Sequence, residues 1–219
     1  MPSDSTQRWE SLERWSPKLL LAAGPVLLFA VTVAGVRRFT SVSVPDIIFW
    51  PFLPLGFALA LAGLVGLHPR LAERRPRASK VGGSFALLGL VLLLGGLAVL
   101  LVTAPPGPYP GNLGTLGLPF LLGFIAVIPA FGAYGIASLR TATPSWRLGG
   151  LLLAVGLLQF IELIGVIVVL PILSVGREGG LVFQIVVYGV TTAAFVALGY
   201  LLRTESVSTD SADTADAAA

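Results

Sequence analysis

This sequence of 219 residues has no cysteine, one histidine and one asparagine. Without cysteine the chain can form neither disulfides nor thiolate-ligated metal sites, and the lone His68 excludes sites built from several imidazoles. Asn112 is followed by Leu113 and Gly114, so it is not an N-glycosylation acceptor. The sequence also lacks phosphate-binding loops, nucleophile elbows and dinucleotide fingerprints. We therefore expect no metal and no organic cofactor.

Charge is scarce as well. Charged residues make up 11% of the chain and hydrophobic residues 55%, whereas a soluble domain has about 25% charged residues. Only two of the fourteen basic residues are lysines, and the C-terminal segment is acidic. In composition the chain resembles membrane proteins of salt-loving archaea, and we identify no resemblance to a particular family.

Six long apolar runs account for most of the sequence. Each has about 18 or more residues, which is enough for a helix to cross a hydrocarbon core of about 30 Å. A backbone in lipid must satisfy its own hydrogen bonds, so each run is expected to be helical. The sequence therefore predicts an all-α integral membrane protein, a bundle of six transmembrane helices. The runs are 19–36, 47–67, 81–104, 114–139, 148–174 and 180–202.

Two terminal segments flank the transmembrane domain, which we place at 19–202. Residues 1–18 are predicted to be a cytoplasmic amphipathic lead-in, in which Trp9, Leu12 and Trp15 would form one stripe of a helix lying in the headgroup plane. An unstructured lead-in is the alternative. Residues 203–219 are predicted to be a disordered, acidic cytoplasmic tail, because they have too few apolar side chains to bury.

The basic residues predict the orientation of the bundle. With the N-terminus in the cytoplasm, eleven of the fourteen lie on the cytoplasmic side, and Arg37, Arg38 and Arg177 lie outside. Lysine and arginine favour cytoplasmic loops. We therefore predict a multi-pass protein of the cell (plasma) membrane with both termini in the cytoplasm.

One ionisable residue lies well inside a predicted span. Glu162 is near the middle of the run 148–174, where no lysine or arginine is available to pair with it, so we expect it to be largely protonated. Gln159 lies three residues earlier on the same helix face. The sixth run offers polar partners at similar depth. The predicted binding cluster consists of Glu162, Gln159, Tyr188, Thr191 and Thr192. Interhelical hydrogen bonding without further function is the alternative role for Glu162.

A basic loop between the second and third runs is the other candidate site. It has five bases and one acid, which favours contact with anionic lipid headgroups. It lacks aromatic or groove-reading residues, so we expect no binding to nucleic acid. His68, just before the loop, is interpreted as an interfacial residue. The predicted headgroup ligands are Arg70, Arg74, Arg75, Arg77 and Lys80.

Two hypotheses about function follow. The first is a small transporter, channel or transport accessory with a buried glutamate at mid-membrane. The alternative is a structural or assembly partner of another membrane protein, or a homo-oligomer, with no transport or catalytic activity; small-residue seams such as Gly189, Ala193 and Ala197 support it. An enzyme is the least favoured class, because hydrolytic sites normally need two cooperating groups and Glu162 stands alone.

Overall fold

The computed structural model describes residues 4–40, 51–72, 75–103, 114–140, 146–169 and 177–216. These residues form six long helices and no strand. All six helices are long and apolar enough to cross a membrane, so the predicted all-helical class and the number of membrane-length helices are confirmed for the described part of the chain. The helices are α1 (Asp4–Phe39), α2 (Phe52–Ala72), α3 (Pro76–Thr103), α4 (Gly114–Leu139), α5 (Trp146–Ile164) and α6 (Arg177–Asp216).

The ends of the first and last helices differ from the predicted domain boundaries. α1 runs without interruption from Asp4, through Pro17 and Pro25, so no helix break separates the predicted lead-in from the first span. α6 continues to Asp216, through most of the segment that composition assigns to a disordered tail. A helix that is already nucleated adds residues without a further nucleation cost, and this favours the extension even though Ser, Thr and Asp have low helix propensity. The roles assigned to the two terminal segments stay predictions.

The helices follow one another around the bundle. α1 packs extensively against α2 and α6, α3 packs against α2 and α4, and α5 packs against α4. The ring closes between α5 and α6, which pack less extensively than any other neighbouring pair. α2 is the most buried of the six spans and α3 the least. Among the neighbouring helices of the described residues, α5 and α6 therefore form the least extensively packed interface, called the seam below.

Glycine sets the distance between α4 and α5. A Cβ atom at Gly135 would lie 2.7 Å from the backbone nitrogen of Leu153, and one at Gly149 would lie 2.8 Å from the backbone nitrogen of Leu139. Contacts that short exclude a side chain at either position, so the two backbones touch directly. Close approach through glycine is a common way for membrane helices to associate, and it fixes α5 along the α4 side of the bundle.

Candidate functional site

The buried face of α5 positions the predicted polar residues. This face consists of Leu148, Gly149, Leu152, Val155, Gly156 and Gln159. Glu162 lies three residues after Gln159 and continues the same face. It is partly buried. The periodicity that packs α5 against the bundle therefore also directs both polar side chains toward neighbouring helices rather than toward lipid.

Glu162 is bonded to α6. The hydroxyl group of Tyr188 donates a hydrogen bond to Oε1 of Glu162, and both side chains are at least partly buried. Among the described residues no lysine, arginine or histidine pairs with the carboxyl group.

A second polar pair lies one turn away. Nε2 of Gln159 donates to Oγ1 of Thr191 at 3.1 Å, and Oγ1 of Thr191 donates in turn to the carbonyl oxygen of Val187 at 2.9 Å. Gln159 and Thr191 are both buried. Thr192 is also buried, but its Oγ1 atom has no hydrogen-bond partner among the described residues. The structure therefore brings four of the five predicted residues together as two interhelical pairs and places Thr192 beside them without a bond.

Aromatic rings fill the bundle behind Tyr188. The ring of Phe57 on α2 lies 6.1 Å from that of Tyr188 and 5.9 Å from that of Phe195, measured between centroids. Phe124 packs edge-on against Phe57 at 5.2 Å, and Phe131 stacks on Phe195 at 5.6 Å. Phe57, Phe131 and Phe195 are fully buried. The polar pairs thus lie between α5 and α6, with a packed aromatic cluster on their inner side.

The regular helix of α5 ends soon after the site. It stops at Ile164, two residues past Glu162, and a π-helical turn follows over Gly165–Val169. Glu162 therefore lies in the second half of α5 rather than at its midpoint, and its depth in a membrane stays a prediction. A Cβ atom at Gly165 would lie 2.7 Å from the ring of Phe183 on α6. The π-turn thus receives an aromatic side chain of α6.

An apolar groove adjoins this turn. It has a volume of about 270 Å³ and is open on one side. Its lining comes from both helices of the seam. The lining residues are Phe160, Ile161, Ile164, Gly165 and Phe183. Phe160 and Ile161 are about half exposed, so the groove opens on the surface that would face lipid.

The predicted headgroup residues lie in part outside the described residues. Arg74 is outside them, and nothing is described of the side chain of Arg70. Arg75, Arg77 and Lys80 are exposed at the start of α3. The guanidinium group of Arg75 donates to the carbonyl oxygen of Arg140, after α4, at 3.4 Å. Three of the five bases are therefore on the surface of the same end of the bundle.

A third polar cluster, which the sequence analysis did not predict, lies at the end of the bundle where α3 begins. Nδ1 of His68 on α2 lies 2.9 Å from Oγ of Ser79 on α3 and 3.3 Å from the hydroxyl group of Tyr134 on α4. Ser79 and Tyr134 are fully buried. The cluster joins three helices. The one available signal was the position of His68 beside the basic loop, and the sequence offers nothing that pairs it with Tyr134, 66 residues away.

The residues described do not form a metal centre. They contain no group of three histidine, aspartate or glutamate side chains that could hold a metal ion. Comparison with known proteins adds no assignment: the chain matches no protein-family model, and no curated protein or solved structure is significantly similar to it. The six apolar helices are consistent with a multi-pass membrane protein.

Proposed function

We propose that this chain is a small transporter in which Glu162 and Tyr188 form the polar site between α5 and α6. The hydrogen bond from Tyr188 to Glu162 carries the proposal. It places an ionisable side chain at the interface that, among neighbouring helices of the bundle, packs least extensively. Ionisable residues within spans commonly mark proton, ion or substrate pathways. A carboxyl group at a weak seam can exchange its proton when the two helices separate.

The aromatic cluster favours a carrier over an open channel. Phe57, Phe131 and Phe195 fill the space on the inner side of the site, and all three are fully buried. A continuous pore along this line would need these rings to move. Separation of α5 from α6 breaks two hydrogen bonds, each worth about 0.6–2 kcal/mol in a membrane. Access to Glu162 through the seam therefore costs less than access through the core.

The membrane and the orientation are part of the proposal. Eleven of the fourteen lysine and arginine residues fall on one side of the six spans. Because such residues are enriched in cytoplasmic loops, we assign both termini to the cytoplasm and the protein to the cell membrane. The site then lies toward the outer half of the bundle, and the cluster of His68, Ser79 and Tyr134 lies at its cytoplasmic end.

Proton flux tests the transport proposal. The full chain is reconstituted into liposomes that contain a pH-sensitive dye, and a potassium gradient with valinomycin drives protons inward. We expect flux through the wild type and its loss in Glu162→Gln, because an amide keeps the shape of the carboxyl group but cannot exchange a proton. Glu205→Gln, the same substitution outside the spans, should retain the flux. Absence of flux in the wild type, or equal flux in Glu162→Gln, would contradict the proposal.

The basic residues at the start of α3 support a second role, binding of anionic lipid headgroups. Arg75, Arg77 and Lys80 are exposed, and Arg75 contacts Arg140. Each base near an anionic surface contributes about 1 kcal/mol. We include Arg70 and Arg74 in this surface. Native mass spectrometry in the presence of phosphatidylglycerol should show retained lipid, and the retention should fall in a variant with Arg75, Arg77 and Lys80 changed to Gln. Unchanged retention would contradict this role.

An assembly role is the alternative to transport, and one observation favours it. Ala193 is exposed on α6, and a Cβ atom at Gly189 would meet nothing within 4 Å. This part of the small-residue seam thus faces away from the bundle, where another helix could approach. Single-molecule photobleaching of the labelled chain in lipid would show dimers that Ala193→Phe reduces. Val91→Phe, on the exposed face of α3, is the matched control. Monomers throughout would exclude self-association.

A further inference from the structure

Three contacts set the antiparallel register of α5 and α6. Each step toward the start of α5 is matched by a similar step toward the end of α6. The contacting pairs are Gly165 with Phe183, Glu162 with Tyr188, and Gln159 with Thr191. By this register Gln184, one helical turn before Tyr188, lies level with the first residues of the π-turn of α5.

Gln184 lies on the face of α6 that carries the site. It precedes Tyr188 by four residues and Thr191 by seven, and residues at those spacings share one face of a helix. Its side chain is partly buried, whereas the side chains of Val182 and Val186 are exposed. The two valines therefore mark the face of α6 that points away from the bundle, and Gln184 belongs to the face that bonds to α5.

The two halves of the seam differ in polarity. This face of α6 is polar from Gln184 to Thr192, and the part of α5 that it meets contains Gln159 and Glu162. Toward the start of α5 both helices present only apolar side chains that are fully or almost fully buried. These are Leu148, Leu152 and Val155 on α5, and Phe195, Leu198 and Leu202 on α6. The seam is thus polar from its middle to the end of α5 and apolar from its middle to the start of α5.

The carboxyl group is also much closer to the polar end of the seam. The membrane-length part of α5 ends at Ile164, two residues past Glu162, and that of α6 begins at Val182, two residues before Gln184. Two residues correspond to about 3 Å along a helix. In the other direction the membrane-length part of α5 begins at Trp146, which is about 24 Å from Glu162 along the helix.

We infer that water reaches Glu162 from the end of the bundle where α5 ends, along a polar path on α6 that begins at Gln184, and that apolar packing closes the seam toward the other end. The inference rests on the proposed function and names the side on which the site exchanges its proton, which is the outer side in the proposed orientation. The polar half of the seam separates, while the buried Leu152 and Phe195 keep their packing. Gln184 is then a positioning residue, whose amide group holds water about 6 Å along the helix from Tyr188.

Cysteine accessibility tests this path, because the chain has no cysteine of its own. Single-cysteine variants of the full chain in liposomes are treated with a charged, membrane-impermeant methanethiosulfonate. The reagent is applied on the side from which Gly111→Cys reacts. Gly111 lies between α3 and α4 in the sequence, so in a bundle of six spans it is on the same side as the connection from α5 to α6. The reference therefore holds whichever way the protein is inserted.

Two positions at nearly the same depth give the comparison. We expect Gln184→Cys to react at least roughly tenfold faster than Val186→Cys, because the thiolate that reacts forms in water and not against lipid. Val186 is the matched control, since it lies two residues away on the exposed face of α6. Val155→Cys, in the apolar half of the seam, should react from neither side.

The outcomes separate this inference from the proposed function. Equal rates at Gln184→Cys and Val186→Cys, or reaction of Val155→Cys from either side, would overturn the inference even if proton flux depends on Glu162. Complete labelling of Gln184→Cys should abolish the flux, and flux that survives it would likewise overturn the inference. If Gln184→Cys reacts as expected but the wild type has no flux, the path stands and the transport proposal fails. Melting temperatures of all variants establish that each one is folded.

Discussion

Tyr188 on α6 donates a hydrogen bond to the carboxyl group of Glu162 on α5, across the most sparsely packed interface of neighbouring helices in the bundle. Gln159 and Thr191 repeat the arrangement one turn away. Two interhelical hydrogen bonds thus stabilise the interface between α5 and α6, where the helices pack least extensively. In a membrane, where lipid tails compete equally with apolar side chains, such bonds contribute directly to helix association.

Loss of the carboxyl group should weaken the seam. We expect Glu162→Leu to lower the free energy of unfolding by about 1–2 kcal/mol, because the interhelical bond is lost. Glu162→Gln keeps an oxygen that can accept from Tyr188, so its stability should remain close to that of the wild type. Unfolding of the purified protein in mixed micelles measures both values. Equal stability of the Leu and wild-type proteins would show that the bond does not hold the seam.

The contact between α4 and α5 predicts opposite effects at two glycines of the same helix. Gly135→Ala should destabilise the protein by about 1–3 kcal/mol through overpacking, since the added Cβ would lie 2.7 Å from the backbone of Leu153. Gly132→Ala meets nothing within 4 Å, so the better helix propensity of alanine should leave stability unchanged or raise it by up to about 1 kcal/mol. The melting temperatures of both variants and of the wild type, measured in the same detergent, test this prediction. A lower value for Gly132→Ala than for Gly135→Ala would contradict the packing.

The cluster around His68 should contribute to stability through its buried hydroxyl groups. Tyr134→Phe removes one of them, and we expect a cost of about 1 kcal/mol. Tyr200→Phe, at a tyrosine that is 62% exposed, is the control and should have almost no effect. Chemical unfolding monitored by tryptophan fluorescence gives both numbers. If the two substitutions cost the same, the hydrogen bond to His68 contributes nothing.

Topology can be tested by cysteine labelling, because the chain has no cysteine of its own. An impermeant thiol reagent added outside intact cells should label Gly111→Cys and spare Arg77→Cys. Arg77 is exposed on α3, whereas Ser79, two residues later, is fully buried and unsuitable for labelling. Detergent permeabilisation, which makes both positions accessible, is the control. The reverse labelling pattern would invert the orientation.

The C-terminal segment is predicted to act independently of the bundle. Deletion of 206–219 removes three acidic residues, Asp210, Asp213 and Asp216, and none of the apolar core residues. We expect no change in membrane insertion or in melting temperature. A control deletion that also removes Leu202, which is buried, should lower the melting temperature. A loss of several degrees on deletion of 206–219 alone would show that the segment docks on the bundle.

The sequence by itself determined the helices of this protein. Residues 114–139 form both the fourth predicted run and α4, because hydropathy over about 20 residues and internal hydrogen bonding are properties of each segment alone. The spacing of Gln159 and Glu162 likewise placed both on one face of α5 by helix geometry. The extension of α6 beyond the predicted run 180–202, as far as Asp216, had no signal in hydropathy, because composition describes burial and not the extension of an existing helix.

Only the tertiary structure decided which faces meet. Spans that are apolar all around have no polar face to mark the side that points to lipid, so the ring order and the weak seam between α5 and α6 could not be read from hydropathy. The same holds for the contact of Tyr134 with His68, for the burial of Ser79, and for the groove at Gly165. Each depends on side chains brought together from distant segments by close packing, and helix periodicity contains no information about such partners.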